Sequence, residues 1–291
     1  MDFEQVLAEK EFIITTELDP GKGIDVSQLE EKVKLLQAYV DGINLTDSCM
    51  ARMKISPIAV SSYLKDKYAT NWICHMTARD RNMIGLQSEI LGAALLGINN
   101  FLFLTGDKPG YGDHPHSSGV FDCDGTSLIK MASALKRGFD QAGNPLNKAA
   151  ERLTVGGVVN PGGDLRLELT KLKERIEAGA NFIQTQPVYD PRLIEQFMQE
   201  ARPIVARQGS KTRILISIMP LKSGQMARYL NANVPGISIP EKVVALVERA
   251  GSSAGLAIAK SFITEIKGLV DGLHIMPMGK AETVPFLLEQ L

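Results

Sequence analysis

Polar side chains able to do chemistry recur where apolar runs of the chain stop: Glu17, Thr46 with Asp47, His75, Asp107, Asn160, Gln186 and Lys222. A carboxylate such as Glu17 or Asp107 can act as a general acid or base, and a histidine can hold or pass a proton. An amide such as Gln186, set before Pro187, suits the donor and acceptor edge of a heterocycle. Taken singly, each has an ordinary reading: Glu17 as an exposed turn, Asp107 as a turn cap after Gly106, His75 as a core histidine. Their recurrence at one position of a repeating unit is what points to a site.

That unit is strand, polar end, helix. Phe12-Ile-Ile-Thr-Thr16 is a β-branched run that ends at Glu17 and is broken by Asp19-Pro-Gly21; Ser27 is expected to cap a helix, with Glu30 completing a capping box. Gly42–Leu45 leads into Thr46-Asp-Ser48 and a helix from about Pro57 to Tyr68. Trp72–Thr77 is the third strand, and the helix after it closes at Gly97. Asn99 and Asn100 are expected to turn the chain into Phe101–Leu104, an apolar run suited to a parallel strand covered on both faces, which delivers Thr105-Gly-Asp107. A helix from about Thr126 to Gly138 follows the long loop, Lys108 to Asp124. Leu153–Val159, Phe182–Thr185 and Arg213–Met219 are the fifth to seventh strands, with helices over Asp164–Ala178 and from about Pro191 to Ala201. Helices near Ser223–Leu230, Pro240–Ala250 and Ala254–Gly268 precede the eighth strand, Gly272–Met276, and a last helix is expected from Lys280 to the C-terminus.

Eight strands alternating with helices read as a closed parallel sheet, because right-handed crossovers place every strand in one sheet and only closure removes its edges. The fold expected is α/β, a single (β/α)8 TIM barrel over residues 1–291 with extra helices between the seventh and eighth strands. An open doubly wound sheet would want Gly-x-Gly-x-x-Gly after the first strand, where Glu17-Leu-Asp-Pro-Gly-Lys-Gly23 stands instead. The listing of strands puts every polar end on the barrel's C-terminal face.

Three loop features carry two readings each. Asp113-His-Pro-His116 offers two imidazoles but no third ligand, which favours a loop tip over a metal clamp, and no metal is expected. Ala78-Arg-Asp-Arg-Asn82 is either an arginine fork for phosphate or a solvated run that starts a helix. Glu168 and Arg175, seven apart on one helix, share a face that is either surface or a cofactor's ribose and phosphate contact. With 32 basic against 33 acidic residues, no nucleic-acid or anionic-membrane partner is expected, and no apolar run is long enough to span a bilayer. Cys49, Cys74 and Cys123 are odd in number and widely spaced, which fits free thiols. The acidic N-terminus lacks a secretory pattern, so a cytoplasmic protein is expected.

Taken jointly, Glu17 after its β-branched strand, His75-Met-Thr-Ala-Arg-Asp-Arg-Asn82, Leu104-Thr-Gly-Asp107, Glu177-Ala-Gly-Ala-Asn-Phe-Ile-Gln-Thr-Gln186 and His274-Ile-Met-Pro-Met-Gly-Lys-Ala-Glu282 resemble the methylenetetrahydrofolate reductase family over nearly the whole chain. Thr77–Asn82 is most similar to the branch of acetogenic bacteria and of reductase domains fused to homocysteine methyltransferases. The resemblance implies a flavin barrel that passes hydride from the reduced cofactor to 5,10-methylenetetrahydrofolate, giving 5-methyltetrahydrofolate. It implies Glu17 as general acid near the folate N10, Asp107 as the aspartate that binds the pterin and tunes the flavin, and Gln186 as a pterin ligand. It further implies flavin contacts from Thr46, His75, Thr105, Gly106, Asp107, Asn160, Glu168 and Arg175. Asp47 stands where many members have tyrosine, Thr105 where many have arginine, Arg175 where lysine is common and Glu168 where aspartate is common, so FAD and FMN both remain open. The implied electron donor is NAD(P)H or an iron-sulfur or zinc partner subunit, within an oligomer. The competing functions are a pterin-binding barrel that serves methyl or electron transfer without reductase activity, and a folate-binding subunit that is not an enzyme.

Overall fold

The computed structural model describes residues 1–234 and 236–289. The chain opens with a helix not expected from its sequence, α1 (Phe3–Glu9), where Asp2 accepts the Gln5 N–H and the Gln5 side chain accepts the Asp2 N–H. Then follow β1 (Ile13–Leu18), α2 (Ser27–Leu36), β2 (Gly42–Leu45), α3 (Pro57–Leu64), β3 (Trp72–Thr77), α4 (Met83–Leu95) and β4 (Asn100–Leu104). The second half comprises α5 (Gly125–Lys136), β5 (Thr154–Val159), α6 (Leu165–Ala178), β6 (Phe182–Thr185), α7 (Pro191–Arg207), β7 (Arg213–Ile218), α8 (Gly224–Asn233), α9 (Glu241–Ile266), β8 (Gly272–Ile275) and α10 (Thr283–Leu288). The strands form a closed parallel barrel in sequence order, β8 pairing with β1 through Ile13 opposite Gly272 and Thr16 opposite Ile275. The expected α/β barrel is what folds, with α8 and α9 as the extra helices between β7 and β8.

Several boundaries differ for local reasons. Ser27 does not cap α2; Val26 holds that position, and the Ser27 N–H is taken by the Asp25 carboxylate at 3.0 Å. Asn100 belongs to β4 rather than to a turn, pairing with Ile73 and Thr154 while its side chain donates to Trp72 O. α3 stops at Leu64, short of Tyr68. α7 runs past Ala201 to Arg207, with the exposed Pro203 inside it. The two helices expected after α8 are both present within α9, which is broken where Gly251 takes the non-helical φ +62° and ψ −147°. The last helix starts at Thr283, later than Lys280, and residues 290–291 of its expected range lie outside the described residues.

Side chains of each strand alternate between the barrel interior and the helical jacket. Outward residues such as Leu45, Met76, Phe103, Val155, Ile183 and Ile216 pack against Leu86, Leu128, Leu172, Phe197 and Phe262 of the helices. The interior is layered. Its floor is apolar, formed by Ile13, Ile73, Leu102, Phe182 and Leu215, and is plugged by Phe3, Val6 and Leu7 of α1. One pleat higher, Thr15, Asn44, His75, Gln184 and His274 make a buried polar layer where barrels usually carry branched apolar residues. Above that layer lies the C-terminal rim.

Candidate active site

The polar layer is one continuous chain of hydrogen bonds. Asn44 Nδ2 donates to His75 Nε2 at 2.9 Å and to Gln184 Oε1 at 3.0 Å, and Gln184 Nε2 donates to Thr15 Oγ1 at 3.2 Å. Thr15 Oγ1 lies 2.9 Å from His274 Nδ1, and His274 Nε2 lies 3.7 Å from Glu17 Oε2. Because an amide nitrogen only donates, His75 Nε2 accepts and its own proton sits on Nδ1. Burial pushes His75 down to about 4, so it is neutral at pH 7. Glu17 stands at the rim beyond the last hydrogen bond of this chain, at ion-pair distance from His274 and with its side chain 18% exposed. Burial pushes the Glu17 carboxyl up, but the contact with His274 and the charges of His274 and His75 outweigh it and hold the carboxyl below its ordinary value.

Three rim loops are pinned to one another beside Glu17. Ser48, Met50 and Ala51 all take the left-handed conformation, which is costly for residues with a Cβ. This turn aims the Met50 N–H at Asp107 Oδ2, 3.0 Å away, and gives the Ser48 carbonyl to Arg79 Nη1 at 3.2 Å. Cys49 lies in the same turn: desolvation, then the charges of Glu17, Asp107 and Asp19, push its thiol up, so both candidate carboxylates act on one sulfur. Asp113 binds Lys22 of the first loop and accepts the Met53 N–H of the second, with His114 Nδ1 2.9 Å away. Asp113-His-Pro-His116 therefore serves as a tie between loops, and among the described residues no group of three or more His, Cys, Asp or Glu side chains could hold a metal ion.

The other expected residues divide into engaged and unspent groups. Gln186 is half-buried at the rim, one pleat above Gln184, and its N–H donates to Val159 O. Thr105 Oγ1 accepts the Gly125 N–H at the start of α5, and Gly106 takes φ +93° where a Cβ would stand 2.9 Å from Thr77 Cβ and 3.1 Å from Arg79 Cβ. Asn160 ties the loop after β5 to Gly236 O at 2.8 Å, and its N–H goes to Glu168 Oε2. Glu168 is buried and also holds Lys171 at 2.5 Å. Lys222 donates to Met278 O. The arginines of Ala78–Asn82 are spent on protein: Arg79 forks onto Asp80 and Arg81 reaches Asp47, which also accepts from Thr77. In contrast, Thr46 Oγ1 and the Nε and Nη1 of Arg175 are buried with no partner. Arg175 packs on Gly157 of β5, and burial pushes its guanidinium down against the opposing pull of Glu168 and Asp124. A buried guanidinium with bonds to give fits an anionic group, and the buried Thr46 hydroxyl can bond a polar one.

The residues missed by sequence are Thr15, Asn44 and Gln184, together with any role for His274. The signal was available as alternation: Thr15 and Glu17, Asn44 and Thr46, Gln184 and Gln186 are polar at every second place of otherwise apolar strands.

The sequence pattern of one family, described as methylenetetrahydrofolate reductase, matches residues 2–291. The chain belongs to the methylenetetrahydrofolate reductase family. It is 20% identical to a probable methylenetetrahydrofolate reductase (NADPH) of Caenorhabditis elegans over 99% of this chain and 43% of that protein. It is 22% identical to methylenetetrahydrofolate reductase 2 of Schizosaccharomyces pombe, over 74% of this chain and 35% of that protein. With methylenetetrahydrofolate reductase (NADH) 1 of Arabidopsis thaliana it shares 24% identity over 61% of this chain and 30% of that protein. The chain thus spans less than half the length of these relatives. Among solved structures, an uncharacterized Clostridium thermocellum protein that binds two copies of 5-methyl-5,6,7,8-tetrahydrofolic acid superposes with TM-score 0.70 at 17% identity, covering 99% of this chain and 97% of that one. EDTA monooxygenase from Chelativorans sp. BNC1 superposes with TM-score 0.59 at 12% identity over 97% and 94% of the two chains. At such identities these two similarities speak for the barrel alone. No helix among the described residues is long and apolar enough to cross a membrane.

Proposed function

We propose that this family member reduces 5,10-methylenetetrahydrofolate to 5-methyltetrahydrofolate with a bound flavin. The observation that carries the reading is Glu17, a carboxyl on the rim of a closed barrel, backed by a buried histidine and sharing its surroundings with Asp107. Glu17 delivers a proton to the folate N10, opening the five-membered ring to an electrophilic iminium. Asp107 and Gln186 hold the pterin. Thr46 and Arg175 hold the cofactor with their unspent donors, and His75, Thr105, Gly106, Asn160 and Glu168 line it. When bound, a reduced flavin, FAD or FMN, supplies the hydride. Folate lying over the rim displaces water from Glu17, and that desolvation favours the protonated acid the reaction needs.

The finer reading extends to the acetogen-type branch, a cytoplasmic protein acting as one barrel unit, and an oligomer fed by NAD(P)H or by an iron-sulfur or zinc partner subunit. A second reading, a pterin-binding subunit without its own reductase activity, is favoured by one observation. Glu168 already spends its oxygens on Asn160 and Lys171, leaving less for a ribose.

The absorbance and mass of the released cofactor, followed by anaerobic mixing of reduced protein with methylenetetrahydrofolate, test the proposal. Yellow protein reoxidised by the folate is expected. A colourless protein that binds folate would establish the second reading instead. Glu17→Gln should still bind flavin and accept electrons but lose about 10²–10⁴-fold in folate turnover. Retained turnover would remove Glu17 from the acid role.

A further inference from the structure

A general acid must be reloaded, and a rim covered by folate no longer offers bulk water to reload it. We infer that His274 is the proton store for Glu17, with Thr15 setting the hydrogen-bonding state of its far ring nitrogen; the inference rests on the general-acid reading of Glu17 above.

His274 is 3% exposed and lies between two partners, Thr15 Oγ1 at Nδ1 and Glu17 Oε2 at Nε2. The Thr15 hydroxyl already accepts from Gln184 Nε2, and its single hydrogen has two possible acceptors: His274 Nδ1 at 2.9 Å or Leu273 O at 3.4 Å. With His274 charged, Nδ1–H donates to Thr15 Oγ1, the hydroxyl turns to Leu273 O, and Nε2–H faces the Glu17 carboxylate. On transfer the 3.7 Å gap closes to hydrogen-bond distance, the Nε2–H bond breaks and an O–H bond forms on Glu17 Oε2. An ion pair becomes a neutral pair, and no electrons change hands. The product state is equally satisfied: Nδ1–H stays on Thr15, and bare Nε2 faces the new carboxylic acid. The Thr15 hydroxyl, pointing its hydrogen to Leu273 O, thus accepts Nδ1–H in both charge states of a buried ring. Loss of water over the rim drives the same transfer, because it costs an ion pair more than a neutral pair.

The surroundings single out His274 among the described residues. Glu17 is faced by His274 from β8, by His75 from β3, by Asp19 from its own loop and by Cys49 from the loop after β2. His75 is held neutral with Nε2 bonded to Asn44, and the Cys49 thiol is raised, so neither supplies a proton through a direct contact with Glu17. Asp19 is a carboxylate on an exposed residue that pairs with Lys54. His274 acts through Glu17 and is a positioning residue.

The test reads Glu17 itself. Carboxyl carbon NMR of glutamate-labelled protein, assigned with Glu17→Gln, gives the Glu17 titration, and ring-nitrogen shifts give the state of His274. In His274→Gln the Glu17 midpoint should rise, since burial then acts without the largest of its opposing contacts. Thr15→Val should shift the His274 ring signals and raise Glu17 in part, and Thr15→Ser, which keeps the hydroxyl, should restore both. In turnover, His274→Gln should lower kcat about 10²-fold and displace its pH profile while the folate KM changes little. A Glu17 titration identical in wild type and His274→Gln, or ring signals indifferent to Thr15→Val, overturns the inference. Titration needs no substrate: coupled titration without any folate turnover by the wild type would overturn the proposed function while supporting the Glu17–His274 link. The Thr15 pair keeps the test decisive should glutamine at 274 disturb the barrel.

Discussion

At the residue scale, burial sets the protonation state of the histidine on β3. His75 is buried against Asn44 and pushed down to about 4, whereas the unfolded chain binds its proton near the ordinary value of 6.5. A base depressed by folding contributes stability that is full above the unfolded value and lost as pH falls toward the folded one, because between them only the unfolded chain takes up a proton. For His75 the window is pH 6.5 down to about 4, and the loss is on the order of 3 kcal/mol. Urea unfolding of the wild type should therefore weaken across that window. His75→Gln, which keeps an acceptor for Asn44, should show a shallower decline; equal slopes would mean that His75 titrates normally in the fold. Glu17 has the opposite chemistry: a depressed carboxyl stabilises above its unfolded value and loses that contribution at more acid pH.

At the scale of elements, α1 decides whether the barrel has a floor. Phe3 is fully buried and meets Phe182 edge to face, with ring centroids 5.3 Å apart. Phe3→Ala should cost about 3–5 kcal/mol, read as a lower denaturation midpoint. A loss below about 1 kcal/mol would show that the helix only rests on the barrel. The turn over Ser48–Ala51 is the other decisive element, since its left-handed residues position Asp107. Met50→Gly relieves one of those conformations, so it should preserve or raise thermal stability by up to about 1 kcal/mol. If the proposed function holds, it should also raise the folate KM; a lowered midpoint would mean that the Met50 side chain matters more than its backbone.

At the scale of the molecule, closure is the vulnerable step. Gly272 brings β8 against β1 so closely that a Cβ there would stand 2.0 Å from Ile13 O, a backbone atom that cannot swing aside. Gly272→Ala should destabilise by about 3 kcal/mol or more and cut soluble yield, whereas Gly23→Ala, with nothing within 4 Å of the added carbon, should be nearly neutral. Similar melting temperatures for the two variants would show that the seam has slack.

The alternation of apolar runs with helical periods was enough to determine eight strands, their order and the rim that carries Glu17, Asp107 and Gln186, because strand and helix periods are local properties of the chain. α1 escaped that reading because so short a helix shows little periodicity, and its fate is set by the hole it fills. The arginines at 79 and 81 read equally as anion binders or as solvent-facing charge; only the approach of Asp80, Asp47 and Ser48 spent them on the protein. The chain from His75 to His274 links residues as much as 169 and 259 positions apart, as Gln184 and His274 do with Thr15. No window along the sequence spans such separations, and it takes a closed cylinder to bring β1, β2, β3, β6 and β8 around one polar layer.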